Sequence, residues 1–266
     1  MNKKSILVII TGQLRYLSKK NYDFLLNNFS NYNLDFYINY WEDEKVELKN
    51  LFKKNYKPIV LSKIKRKNFL SAVRKIKIPD TAINLENTFH MWHSLSESFN
   101  QINSFNFTKK PDYILRYRSD ILPKFNQNIS LSNLNKKTVC VPDRYHWNGV
   151  NDQFYIFNFS DIKYFLNFNI YLKKYIKKNL LFSPELIFQR YLNTFDLKIK
   201  YINYDYRIMR KKSDSIVKND FKFQKIKIPL KDKIDIKINK FKFRMRNFIN
   251  FYIKKNNRNN LQNIKI

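Results

Sequence analysis

The chain has a single cysteine, Cys140, in 266 residues, so it can form no internal disulfide. Three histidines and one thiol are too few and too scattered for a zinc ligand set. No apolar run approaches the ~20 residues that span a bilayer, so no transmembrane helix is expected. Lys3 and Lys4 ahead of Ile6 to Ile10 imitate the start of a signal peptide. The apolar stretch is too short, however, and no small-residue cleavage site follows. It reads instead as a buried first strand of a cytoplasmic protein. Glycine is almost absent: Gly12 and Gly149 are the only two, so each marks a place where the backbone bends sharply or approaches something closely. Acidic residues are also short, 21 against 52 lysines and arginines, for a formal charge of +31. Lys, Asn, Ile, Tyr and Phe are abundant together, a mixture that AT-rich coding produces, so part of the lysine excess is compositional. The charge nevertheless attracts phosphates, anionic lipid and nucleic acid.

What is present is a core-forming composition, 44% hydrophobic and 17% aromatic, which excludes a disordered polymer. Ser5 to Ile10 reads as a central parallel strand, apolar on both faces. A turn through Thr11-Gly12-Gln13-Leu14-Arg15 follows, then helical spacing from Tyr22 to Phe29 and a second strand from Leu34 to Tyr40. Together they make a βαβ unit. Val46 to Phe52 is a candidate helix and Pro58 to Leu61 a short strand. Asn84 to Asn103 predicts a helix with Phe89, Trp92, Leu95, Phe99 and Ile102 on its apolar face. His90, His93, Glu97 and Gln101 lie on the other face. His90 and His93 are three apart, a spacing that can hold a metal, but no third ligand accompanies them in sequence. Strands are expected at Thr138–Val141, Gln153–Asn158 and Ile199–Tyr204. Asp161 is read as the cap of a helix running to Tyr171, and Ser183-Pro184-Glu185 as the start of another.

The chemistry gathers in Asp112-Tyr113-Ile114-Leu115-Arg116-Tyr117-Arg118-Ser119-Asp120. It begins as a strand and turns polar at its carboxyl end. Residues two apart share a face, so Arg116, Arg118 and Asp120 should point the same way. Open α/β sheets bind ligands outside the carboxyl ends of their strands, which makes this a candidate site for a phosphate. The plain alternative is an Arg–Asp salt bridge closing a strand. A polar, aromatic loop from Pro142 to Asp152 holds Gly149 and further candidates.

In this order the chain resembles bacterial polysaccharide glycosyltransferases of the WavE-like kind and related GT-A enzymes. The resemblance rests on Ile6 to Arg15, Met91 to Leu95, Tyr113 to Asp120, Pro142-Asp143-Arg144 with Asn151 to Phe154, and Ser183-Pro184-Glu185. It covers roughly residues 5 to 205. It implies a GT-A-like, Rossmann-type fold, a mostly parallel sheet flanked by helices, over residues 1–210. It further implies a nucleotide-diphosphosugar donor and a glycan acceptor, lipid-linked or on the cell surface. Thr11, Gly12, Gln13 and Arg15 would then cradle the nucleotide. Arg116 and Arg118 would neutralise the leaving diphosphate, together with Mn²⁺ or Mg²⁺ on Asp120. Arg118 stands where the first Asp of the usual Asp-X-Asp would be. The candidate bases are Asp152, then Glu185, then Asp143, and Trp147 with Tyr145 and His146 is a candidate acceptor platform. A plain turn or capping role is the alternative for Asp152, and helix stabilisation for Glu185.

Residues 211–266 form a basic extension in which Phe241, Met245, Phe248, Ile249 and Tyr252 fit a helical face among lysines and arginines. The span 241–255 is a candidate for peripheral contact with an anionic membrane surface. The rival function class is a basic single-stranded nucleic-acid-binding protein without enzymatic activity. No DNA or RNA recognition motif accompanies the charge, so nucleic acid is not the expected partner.

Overall fold

The structure, a computed structural model, describes residues 3–14, 17–42, 58–65, 85–124, 128–143, 149–166, 168, 170–171 and 184–209. The expected helix at 46–52, the Ser183 cap and the extension 211–266 lie outside these residues.

Strand β1 (Ser5–Gly12) is apolar on both faces because it is covered on both. Ile6, Val8 and Ile10 join one core cluster, and Leu7 and Ile9 the other, as the two-residue period requires. Helix α1 (Lys19–Asn28) lies on the Ile6 side, through Tyr22, Leu25 and the following Phe29. Strands β2 (Asn33–Trp41) and β3 (Val60–Ile64) extend the sheet outward from β1. The strand expected at Pro58–Leu61 thus begins two residues later, after Ile59 N has bonded to Phe36 O at 2.9 Å.

Helix α2 (Leu85–Ser104) covers the Leu7 side with Phe89, Trp92, Leu95, Phe99 and Ile102. Much of its other face is covered as well, His90, His93, Ser94 and Ser98 being buried, Glu97 half-buried and Gln101 exposed. Trp41 Nε1 donates to Ser94 Oγ at 2.8 Å, Asn39 Nδ2 to Ser98 Oγ at 3.4 Å, and Tyr37 OH to Gln101 Oε1. A polar helix face therefore packs on polar strand residues, and the hydrogen bonds offset the cost of burying them.

Strand β4 (Tyr113–Tyr117) pairs parallel with β1, Ile9 opposite Arg116. After the short β5 (Ile121–Pro123) come β6 (Thr138–Pro142) and β7 (Phe154–Asn158). Next is a 3₁₀ helix (Phe159–Tyr164) in place of the expected α-helical start. Asn158 is at its cap; Asp161 sits inside the first turn and accepts from Lys137 N at 2.6 Å. Helix α3 (Pro184–Thr194) then leads to β8 (Lys198–Ile202). The last expected strand stops short of Tyr204, whose ring stacks on Phe154 at 4.2 Å. A further strand, β9 (Tyr206–Ile208), pairs antiparallel with β5 as a separate two-stranded sheet.

The main sheet runs β3-β2-β1-β4-β7-β6-β8 and is parallel except for β7, which runs against both neighbours. With α1 on one face and α2 and α3 on the other, the described residues form an α/β, Rossmann-like layer. No helix among them is long and apolar enough to cross a membrane.

Candidate functional site

The chain leaves β1 towards β2 and β3 on one side, while β4 adjoins β1 on the other and leads to the remaining strands. The order reverses between β1 and β4, and crevices in open α/β sheets open at such points, beyond the carboxyl ends of the strands. A cleft of about 440 Å³ lies there, within the usual size of a small-molecule site. Because β7 is antiparallel, its amino end, carrying Asp152, reaches the same edge.

Thr11, Gly12 and Gln13 form the β1 wall. Gly12 has φ of 93°, a left-handed conformation that a side chain would strain. Thr11 Oγ1 is buried with no hydrogen-bond partner. Trp41, at the end of β2, and Asn87, Thr88 and Met91, in the first turns of α2, line the next part.

The opposite wall comes from the turn after β4. Arg118 forks onto Asp120, Nε to Oδ1 at 2.9 Å and Nη2 to Oδ2. The turn is braced from several sides. Tyr117 OH and Asn21 Nδ2 each donate to Ile121 O at 2.7 Å, Ser119 Oγ donates to Gln13 O, and Met209 N donates to Asp120 O at 2.6 Å. Burial works against the charge of Arg118, but Asp120 outweighs it and holds the guanidinium above its ordinary value. Arg116 is 1% exposed, its Nη1 donates to Tyr117 O at 2.7 Å, and its Nε has no partner. Burial, aided by the charge of Arg118, brings its pKa down to about 10, so it remains charged near neutrality.

Asp152 is 3% exposed, and neither carboxylate oxygen has a hydrogen-bond partner. Burial pushes its pKa up, while Arg118 and Arg116 pull against that shift. Its neighbour does the local structural work: Asn151 Oδ1 accepts from Gln153 N at 2.9 Å and Phe154 N at 3.2 Å, and Nδ2 donates to Tyr206 OH at 2.7 Å. The turn role open to Asp152 in the sequence thus belongs to Asn151. Tyr155, paired with Arg116 across the strands, is also buried with its hydroxyl unpartnered.

Glu185 completes the cleft from the first turn of α3. Its carbonyl accepts Val150 N at 3.0 Å. A Cβ on Gly149 would lie 2.1 Å from the Glu185 carbonyl carbon, so only glycine lets the loop approach the helix this closely. The two glycines of the chain therefore both serve the cleft, one by conformation and one by proximity.

Thr11, Gly12, Gln13, Arg116, Arg118, Asp120, Asp152 and Glu185, far apart in sequence, all line this one cleft. Asp143 does not line it; it directly follows β6, with its N bonded to Ile202 O at 2.9 Å. Arg15, Tyr145, His146 and Trp147 lie outside the described residues. His90 and His93 are buried in α2, His90 edge-on to Trp41 at 5.5 Å, and each lies near a glutamate of its own helix. Trp41 and Ser119 were missed as site residues, although Trp41 ends a strand at the ligand-binding edge and the rule that picked out Asp120 applies to it too. Met91 opens one of the blocks that carry the resemblance but had no site role there, and nothing in the sequence marks Asn87 or Thr88.

The donor set as it stands does not fit a divalent cation on Asp120. Both Asp120 oxygens are held by the Arg118 fork. Among the described residues no group of three or more His, Cys, Asp or Glu gathers to hold a metal ion. No protein-family model matches the chain, and no curated protein matches it.

Proposed function

We propose that this chain is a glycosyltransferase of the GT-A type, moving a sugar from a nucleotide-diphosphosugar to a glycan acceptor. The observation that carries the reading is the meeting of Arg116, Arg118 and Asp152 beside the Thr11–Gln13 turn, at the point where the strand order reverses. A planar guanidinium matches two phosphate oxygens at once, and a low-dielectric cleft strengthens the contact.

In the reaction, the bond from the anomeric carbon to the diphosphate oxygen breaks as a bond to the acceptor oxygen forms. Positive charge develops on the sugar and negative charge on the diphosphate. Arg116 is fixed by burial and by Tyr117 O, so it meets the leaving diphosphate without reorganising. Arg118 reaches the diphosphate by exchanging its Asp120 partner for phosphate. The acceptor proton goes to a cleft carboxylate when the reaction inverts, and Glu185 and Asp152 are the two available beyond the Asp120 pair.

The test is a panel of nucleotide sugars and their nucleoside diphosphates against the purified chain, with and without Mn²⁺, read by thermal shift and by nucleotide release. At least one pair should bind, and Arg116→Met and Arg118→Met should each weaken binding about tenfold or more, since hydrogen bonds to charged groups are worth ~1.5–3 kcal/mol. Binding by no member of the panel, or binding unaffected by both substitutions, sinks the reading.

A further inference from the structure

This inference rests on the glycosyltransferase reading and assigns one residue within it. The observation is the carboxylate of Asp152, buried in the cleft wall with both oxygens unpartnered. Native structures seldom leave such a group unsatisfied, because an unmet buried acceptor costs the full desolvation of the group. The fold does not need it: Asn151 makes the turn, and the backbone of Gln153 anchors the start of β7 by accepting from Arg118 N at 3.1 Å. What completes Asp152 is therefore a donor brought by the ligand.

Position decides which donor. Arg116 and Arg118 both act on the Asp152 charge, so it lies at the end of the cleft where the guanidiniums gather. If those guanidiniums hold the diphosphate, a base acting with inversion belongs on the opposite face of the sugar, away from the leaving group. In a front-face reaction with retention, the departing phosphate oxygen itself takes the acceptor proton. Neither geometry uses a carboxylate beside the arginines as the base. The ligand group next to the diphosphate is the sugar ring, and its hydroxyls are donors. A carboxylate offers two oxygens and about four lone-pair sites, enough to accept two neighbouring hydroxyls at once.

We propose that Asp152 reads hydroxyl groups of the donor sugar, making it a specificity-determining residue, and that the base role of an inverting reaction falls to Glu185. The titratable groups around Asp152 come from several elements: Arg116 on β4, Arg118 and Asp120 in the turn after it, and Tyr155, kept neutral by burial, on β7. Of these only the arginines attract the carboxylate, and neither hydrogen-bonds to it, so both oxygens keep their acceptor capacity for the sugar.

The experiment is calorimetry on the full chain, wild type and Asp152→Asn, with a nucleoside diphosphate and the matching nucleotide sugar from the panel, in EDTA and in Mn²⁺. The expected result is that Asp152→Asn binds the nucleoside diphosphate as wild type does but binds the nucleotide sugar at least tenfold more weakly. If Asp152→Asn binds both ligands as wild type and loses only kcat, the residue is a base and the proposal is overturned. An equal loss for both ligands also overturns it, placing the carboxylate at the diphosphate end, through a metal if the loss appears only with Mn²⁺. Should circular dichroism show that Asp152→Asn does not fold, wild type is titrated with analogues of the nucleotide sugar lacking one hydroxyl each. Weaker binding by at least one analogue supports the assignment, and equal binding by all of them overturns it. Failure of wild type to bind any nucleoside diphosphate removes the glycosyltransferase reading itself, and this assignment with it.

Discussion

On the α1 side of the sheet, Tyr22, Leu25 and Phe29 meet Phe36, Ile38, Tyr113, Leu115 and Ile156. On the α2 and α3 side, an equally apolar cluster shades into Asn39, Trp41, Ser94, Ser98 and Gln101, and then into the cleft. Each side has buried polar atoms without a partner among the described residues, but they differ in kind. On the α1 side the group is neutral, the Tyr204 hydroxyl; the other side has neutral ones too, Trp92 Nε1, Ser96 Oγ and the Tyr155 hydroxyl, but also charged ones, a guanidinium nitrogen of Arg116 and both oxygens of Asp152. Leaving neutral groups unmet costs little beside leaving charges unmet. The α1 face is thus organised for stability, whereas the opposite face gives up some stability at the cleft proposed to hold the ligand.

The largest expected effect tests the quiet face. Leu25 is fully buried, so Leu25→Ala should cost about 2–5 kcal/mol in chemical denaturation while leaving ligand affinity of the folded protein unchanged. A comparable loss of affinity would break the division between the faces. Next is Gly149→Ala, which forces a Cβ into the Glu185 backbone and should cost about 1–3 kcal/mol. Unlike Leu25→Ala, it should also lower turnover by displacing Glu185.

Asp152→Asn should have the opposite sign. Burial raises the folded pKa of Asp152, so the folded state binds the proton more tightly than the unfolded chain does. Stability contributed by this group then falls as pH rises from the unfolded value, about 3.9, through the raised one. Asp152→Asn should therefore be more stable than wild type near neutrality, and the difference should vanish below about pH 4, as read by thermal denaturation across pH. A variant less stable at pH 7 would mean that the arginines need Asp152 more than burial penalises it. The smallest effect returns to the α1 face. Cys140 is buried there, and burial pushes its thiol up to about 11, so an alkylating reagent at neutral pH should modify it only on unfolding.

The sequence made β1, β2 and the apolar stripe of α2 visible because period-two and period-3.6 patterns run long enough in them to register. It could not show β5 and β9, three residues each, which exist through their pairing with one another. The direction of β7 was equally hidden, since a strand pattern reads the same both ways. That direction is what brings Asp152 to the ligand edge. In the site, the two-residue spacing of Arg116, Arg118 and Asp120 was legible, but not the outcome for each. Arg116 lies beneath the helices of one face, while Arg118, past the strand end, bends back onto Asp120. The sequence puts the histidines of α2 on the face opposite its apolar stripe but does not say what that face meets. Here it meets Asn39 and Trp41 of β2, two polar-capable residues in a strand that otherwise reads as core.

The β1–β4 seam carries a consequence for how the molecule breathes. These strands touch along only four residue pairs, Ile6 to Ile9 against Tyr113 to Arg116, and the cleft opens at their shared end. In the proposed function a ligand seated there would be held by Thr11 and Gly12 of β1, by Arg116 of β4 and by Arg118 just past it. Its binding energy is added to the work of parting the middle of the sheet. Amide protons of β1 and β4 should therefore exchange with solvent more slowly once the cleft is filled, and those of the edge strand β3 much less so.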